Sequence, residues 1–125
     1  MSRVEKVAQA LKREISNIIH DEIKDPRLGF ITVIRVELTR DLRFAKVYYS
    51  ILGSQKERDD TMAALESAKG FIRRLIGQRI ELRFTPEIDF REDRSFEYSF
   101  RIEEELSKLK ESDGPKRNNR GDKKK

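Results

Sequence analysis

Apolar side chains fall at Val4, Val7, Ala8, Leu11, Ile15, Ile18, Ile19 and Ile23, close to one face of a repeat of about 3.6 residues. The spacing predicts a helix over residues 3–23 with Ser2 as its N-cap. Its other face carries Arg3, Lys6, Lys12, Arg13 and Glu14, which reads either as a solvated side or as a nucleic-acid contact. Asp25-Pro26-Arg27-Leu28-Gly29 ends the helix: Pro26 steers Asp25 away from helical geometry and Gly29 permits a turn.

The period then changes to two. Residues 31–38 and 44–51 are rich in β-branched and aromatic side chains and read as strands. The short polar link Thr39-Arg40-Asp41 predicts an antiparallel hairpin. Ile34, Val36 and Leu38 fall on one face of the first strand, with Arg35 and Glu37 on the other. On the second, Ala45, Val47, Tyr49 and Ile51 oppose Phe44, Lys46 and Tyr48. One face is expected to be covered and the other wet.

Thr61 to Phe84 reads as helix, break, helix, strand. Residues 61–68 and 71–77 have good helical patterns on either side of Gly70, and glycine costs about 1 kcal/mol relative to alanine inside a helix. A bend there would expose the first N–H groups of the second helix, with Lys69, Arg73 and Arg74 beside them, a place to hold a phosphate. The competing explanation is that Gly70 relieves a tight helix contact and the arginines are solvated. Ile80, Leu82 and Phe84 alternate with Arg79, Glu81 and Arg83, predicting a third strand stopped by Thr85-Pro86. The order helix, strand, strand, helix, helix, strand folds most simply as a two-layer α+β domain. A last helix is expected from Ser95, with Phe96, Phe100, Ile102, Leu106 and Leu109 on its apolar stripe. The predicted organisation is a domain over residues 1–110 and a basic tail, 111–125, expected to be disordered.

Composition sharpens this picture. The 125 residues suit one domain, and the net charge is +5. Residues 110–125 contribute seven basic and three acidic side chains, so the body is nearly neutral and any polyanion site on it must come from local clustering. There is no cysteine, hence no disulfide, thiolate metal site or cysteine nucleophile. The absence of an apolar run long enough for a membrane span, and of a signal-peptide pattern, is expected of a cytoplasmic protein. Heavy use of charged residues leans toward a thermophilic source.

No catalytic constellation stands out. His20, the only histidine, closes the first helix, where a cation is ordinary stabilisation. Asp59 and Asp60, adjacent and N-terminal in a helix, read as helix caps rather than a paired acid and base. No phosphate-loop, dinucleotide or metal-ligand spacing is present, so neither an enzyme nor a cofactor is expected. What remains is a binding surface: Lys69, Arg73 and Arg74 beside Gly70 at the break, with Arg79 and Arg83 on the strand that follows. Phe44 and Tyr48, beside Lys46, form a rival face where bases could stack.

Arg3-Val4-Glu5-Lys6-Val7-Ala8, Asp25-Pro26-Arg27-Leu28-Gly29, Thr32-Val33 and Asp41-Leu42-Arg43-Phe44-Ala45-Lys46-Val47-Tyr48 resemble the ribosome-binding factor A family. So do Ala68-Lys69-Gly70-Phe71-Ile72-Arg73, Leu75-Ile76-Gly77 and Leu82-Arg83-Phe84-Thr85-Pro86-Glu87-Ile88, all in consistent order between Arg3 and Leu109. The resemblance implies a type II KH-like domain in which an Ala-x-Gly kink, here Ala68-Lys69-Gly70, replaces the usual GxxG loop, and in which the first and third strands are parallel neighbours. It implies a non-catalytic, monomeric assembly factor that binds the free small ribosomal subunit and its RNA; in that role Lys69, Gly70, Arg73, Arg74, Arg79 and Arg83 are expected to contact RNA, with Arg27 and Lys46 as further docking residues. Such a factor assists late rRNA maturation, including the 5′ end region, and is linked to growth in the cold. The alternative is a general RNA-binding or protein-interaction module of the same fold.

Overall fold

A computed structural model describes residues 1–95, and Met1–Asp93 form one compact unit. The helix expected beyond Ser95 and the tail over 111–125 lie outside the described residues. The order of elements is α1 (Arg3–Asp21), β1 (Ile31–Leu38), β2 (Phe44–Ile51), α2 (Gln55–Arg79) and β3 (Glu87–Glu92).

Both helices begin with a capping box. Ser2 Oγ accepts from the Glu5 amide while the Glu5 carboxylate accepts from the Ser2 amide, and Ser54 and Glu57 repeat the arrangement on α2. These backbone bonds hold the carboxyls of Glu5 and Glu57 below their usual range. Asp59 and Asp60 are not caps: they accept from Gln55 and Lys56, one turn back.

The expected break at Gly70 is absent. α2 runs unbroken for about 37 Å, with Ala68-Lys69-Gly70 in its interior. Its buried residues, Ala64 and Leu65 before the glycine and Ile72 and Ile76 after it, pack into the same core, which outweighs the small penalty of one glycine. No second helix N-terminus opens there to hold an anion. The tight helix contact of the competing explanation is absent too, because a Cβ on Gly70 would meet nothing within 4 Å; of its two solvated arginines, Arg74 is exposed and Arg73 partly buried. The glycine sits on an open, solvent-facing stretch of helix.

The third strand also differs from expectation. Residues 80–86 form an irregular link and β3 is Glu87–Glu92. The alternation that builds the strand is Ile88 and Phe90 inward against Glu87, Asp89 and Arg91 outward. Pro86 starts the strand rather than ending one: lacking an N–H, it sits buried just before the ladder, which opens with Glu87 N–H donating to the Arg43 carbonyl at 2.8 Å. The strand order is β1-β2-β3, with β2 antiparallel to β1 and parallel to β3. The expected parallel pairing of first and third strands is therefore replaced by one of second and third, with α2 as the crossover. β2 can take the centre because Ala45, Val47, Tyr49 and Ile51 are all buried on its inner face.

β1 carries a bulge between Val33 and Arg35. The extra residue, Ile34, resets the alternation, so Val33 pairs inward with Tyr49 while Val36 and Leu38 pair with Val47 and Ala45. One hydrophobic core forms between this face and the two helices, centred on Leu11, Ile15, Ile18, Leu65, Ile72, Ile76, Val47 and Tyr49. The Asp25–Gly29 turn is stitched to α2, where the Gly29 amide donates to Thr61 Oγ1 at 3.0 Å. A Cβ on Gly29 would come within 3.2 Å of that oxygen, so the close approach accounts for the glycine.

Candidate nucleic-acid interface

The basic side chains of the domain divide into those held by carboxylates or carbonyls and those presented to solvent. Much of the sequence-predicted set falls in the first group. Lys69 pairs with Glu66 at 2.9 Å along the helix. Arg73 reaches across to the α2–β3 link, where it donates to the carbonyls of Pro86 and Thr85 at 3.0 and 3.1 Å and pairs with Glu87 at 3.2 Å. Arg79 contacts Glu22 at 3.2 Å and Glu14 at 3.7 Å, bracing α2 against α1. Arg27 is bound by Asp25 at 2.7 Å and also donates to Ser67. The guanidinium holds the Asp25 carboxyl below its usual range.

Arg74 and Arg83 belong to the second group. Arg74 is exposed beside Gly70 on the open face of α2, its guanidinium 5.2 Å from the Phe71 ring. Neither it nor Arg83 makes an ion pair among the described residues. Lys46 is exposed on the outer face of the sheet, with Glu37 and Asp89 as cross-strand neighbours. That face is nearly balanced in charge. Arg35 pairs with Asp93 at 2.9 Å and Glu37 at 3.3 Å, and Arg91 with Asp89 at 2.8 Å. Arg35 also lies 3.9 Å over the Tyr48 ring, whose hydroxyl contacts Glu37 at 3.3 Å. The rival stacking face thus has one side of its tyrosine already covered.

A cluster that sequence reasoning missed lies where the β1–β2 turn, the α2–β3 link and the N-terminus of α1 meet. Phe84, 48% exposed, has the Arg43 guanidinium 4.3 Å and the Arg83 guanidinium 5.4 Å from its ring centre. Arg3 and Leu42 join them around a cavity of about 330 Å³. Phe44, 54% exposed, borders an adjoining cavity that shares Arg43 and Phe84. The turn is tightly built: Asp41 accepts from Thr39 Oγ1 at 2.7 Å and from the Arg43 amide at 3.1 Å, and these bonds lower its pKa. Leu42 has φ of 63°, a left-handed conformation that a leucine adopts only under constraint. No sequence signal joined these residues, since the strand predicted over 80–84 would have laid Phe84 against the core.

No group of three or more histidines or acids among the described residues could hold a metal, and no described helix is long and apolar enough to cross a membrane. The family model for ribosome-binding factor A matches residues 3–106. A ribosome-binding factor A from Halothermothrix orenii is 52% identical over 111 residues, covering 89% of this chain and 91% of that one. Among solved structures, a protein of Thermotoga maritima described as a putative ribosome-binding factor A is 38% identical. It superposes with a TM-score of 0.64 over 72% of this chain and 86% of its own. A homology model of a Thermus thermophilus ribosome-binding factor A, fitted into a cryo-EM map of a complex of the factor with 30S, is 25% identical with a TM-score of 0.61, covering 76% of this chain and 97% of its own. With an α+β domain of two helices and a three-stranded sheet, and a family model matching residues 3–106, the chain belongs to the ribosome-binding factor A family.

Proposed function

We propose that this protein binds the free small ribosomal subunit and its RNA as a monomer in the cytoplasm. There it assists late rRNA maturation, including that of the 5′ end region, without catalysing a reaction and with most effect in the cold. The reading is carried by the likeness of the described domain to a relative fitted to a 30S subunit. Its physical requirement is modest: a factor that holds RNA in one arrangement needs only a differential affinity for that arrangement, and must then leave. A surface of exposed, uncommitted arginines meets this requirement, because each phosphate contact strengthens binding while keeping it sensitive to salt. Residues 1–110 are the ribosome-binding part in this reading, and the tail 111–125 adds only non-specific charge.

Gly70 and Arg74 support a contact on α2. With no neighbour to accommodate, Gly70 leaves bare helix backbone beside an exposed guanidinium, a place where a sugar–phosphate strand can approach closely. The test is gradient fractionation of cell extract. Wild-type protein should migrate with free small subunits and not with complete ribosomes. Arg74→Glu should shift it to the top of the gradient, and Gly70→Ala should weaken the association while leaving the fold intact. Migration away from small subunits at low salt would defeat the reading.

A second reading, a protein-interaction module, draws on a groove of about 600 Å³ between the end of α1 and the start of β1. It is lined by Ile19, Ile23, Pro26 and Leu28 beside Phe30, which is 90% exposed. Association that persists in high salt and after ribonuclease treatment would favour it.

A further inference from the structure

The Phe84 cluster lies outside the α2 surface just described and has a chemistry of its own. An aromatic ring left half exposed, with guanidinium groups against it and further cations beside it, is unusual on a domain whose other arginines are mostly neutralised. Arg43 and Arg83 make no ion pair among the described residues. The one carboxylate lining the cavity, Asp41, accepts from Thr39 and from the Arg43 backbone and is offset in charge by Arg43, which leaves Arg3 and Arg83 in excess. The surface is therefore cationic and aromatic together. It is also held in place. Arg73 fixes the Thr85 and Pro86 carbonyls immediately after Phe84, and the constrained Leu42 sets the start of β2 from which Arg43 projects.

We propose that this end of the sheet binds unpaired nucleotides of single-stranded RNA. A base enters the Arg43–Phe84–Arg83 stack, a neighbouring base lies against Phe44, and Arg3 with the guanidinium edges takes the flanking phosphates. Guanidinium planes and aromatic rings are both stacking surfaces for bases, and every base offers a π-face. A duplex hides those faces, so this surface distinguishes looped or terminal RNA from helical RNA. The proposal rests on the RNA-binding reading above and specifies what RNA one part of the surface takes.

The experiment uses the full chain, with fluorescence anisotropy of a labelled mixed-sequence RNA of about ten nucleotides and the matching blunt duplex. The single strand should bind more tightly than the duplex. Phe84→Ala should weaken single-strand binding roughly tenfold, the loss of one stacked base, with the salt slope unchanged, and Phe84→Trp should retain affinity. Arg43→Gln with Arg83→Gln should weaken binding and flatten the salt slope by about 0.7 for each phosphate that is no longer neutralised. Because Phe84 is half exposed, the variants should keep the wild-type circular dichroism; were Phe84→Ala to unfold, the arginine pair and Phe84→Trp would decide. Equal affinity of wild type and Phe84→Ala would overturn the proposal. So would a duplex bound as well as the single strand, or small-subunit association insensitive to both the arginine pair and ribonuclease, which would make the partner a protein. Failure of the wild type to co-sediment with small subunits would strike the ribosomal reading and leave the oligonucleotide result standing by itself.

Discussion

The two ends of the sheet are built from opposite materials. At one end, where β2 and β3 begin, Arg3, Arg43, Arg83, Phe44 and Phe84 stand exposed around open cavities. At the other, where β1 begins and β2 and β3 end, charges are consumed internally. Arg58, only 4% exposed, donates to Glu92 at 2.9 Å and to the Gly53 carbonyl at 2.9 Å, Arg35 meets Asp93, and the large apolar side chains Phe30 and Leu52 stand exposed. Arginines at the second end hold the fold together, while at the first only Arg73 is so used, and Arg3, Arg43 and Arg83 stand exposed. The same residue type fastens the fold or stands in solvent according to whether a carboxylate or carbonyl lies within reach.

The largest test of that division is Arg58→Leu. It strands the mostly buried Glu92 carboxylate and releases the Gly53 carbonyl, and removing one partner of a buried pair costs about 3–5 kcal/mol. The denaturant midpoint should drop accordingly, while the fraction that remains folded binds RNA as wild type does. A loss below about 1 kcal/mol would mean that this end is not where the fold is fastened.

That division explains what the sequence could reveal. Helix α1, both hairpin strands and the inner face of β2 were legible because their periods are set by burial, a local signal repeated over many residues. The capping role of Ser2 was legible for a different local reason, a hydroxyl placed just before the first helical turn. Misread were the places where tertiary contacts outweigh a local cue. Gly70 looked like a break but is bridged by apolar contacts on both sides, and Ile80-Leu82-Phe84 showed strand alternation while Ile88 and Phe90 showed it equally. Among the candidate site residues, residue type could not separate Arg73 from Arg74, because the distinction depends on carbonyls of Thr85 and Pro86 that come near only after the chain has folded back.

The adjacent pair turns that distinction into a smaller effect. Arg73→Ala removes two charged hydrogen bonds and an ion pair from a guanidinium about a third exposed, so solvent screening limits the cost to about 1–2 kcal/mol. Arg74→Ala should change stability by less than about 0.5 kcal/mol. In RNA binding, Arg74→Ala should reduce the salt slope. Arg73→Ala should lower affinity at an unchanged slope, through a loosened Phe84. Equal slopes in the two variants would erase the division between fastening and presented arginines.

The smallest effect lies in the core, near the end where charges are consumed. Tyr49 is fully buried with its ring edge-on to Phe90, and its hydroxyl has no hydrogen-bond partner among the described residues. A buried hydroxyl left unpaired costs free energy, so Tyr49→Phe should stabilise the protein by about 1 kcal/mol at neutral pH. Burial, aided by the Glu92 and Glu66 charges, pushes the phenol from its ordinary 10.0 up to about 12. Between those values the unfolded chain has released the proton and the folded chain still holds it, so the unfolded state binds fewer protons and stability falls as pH rises. Phenylalanine has no proton to lose. The advantage of Tyr49→Phe should therefore be constant below pH 10 and widen as pH approaches 12. An advantage that stayed flat through that range would show that the hydroxyl is solvated or paired, and that this end of the domain is wetter than its packing indicates.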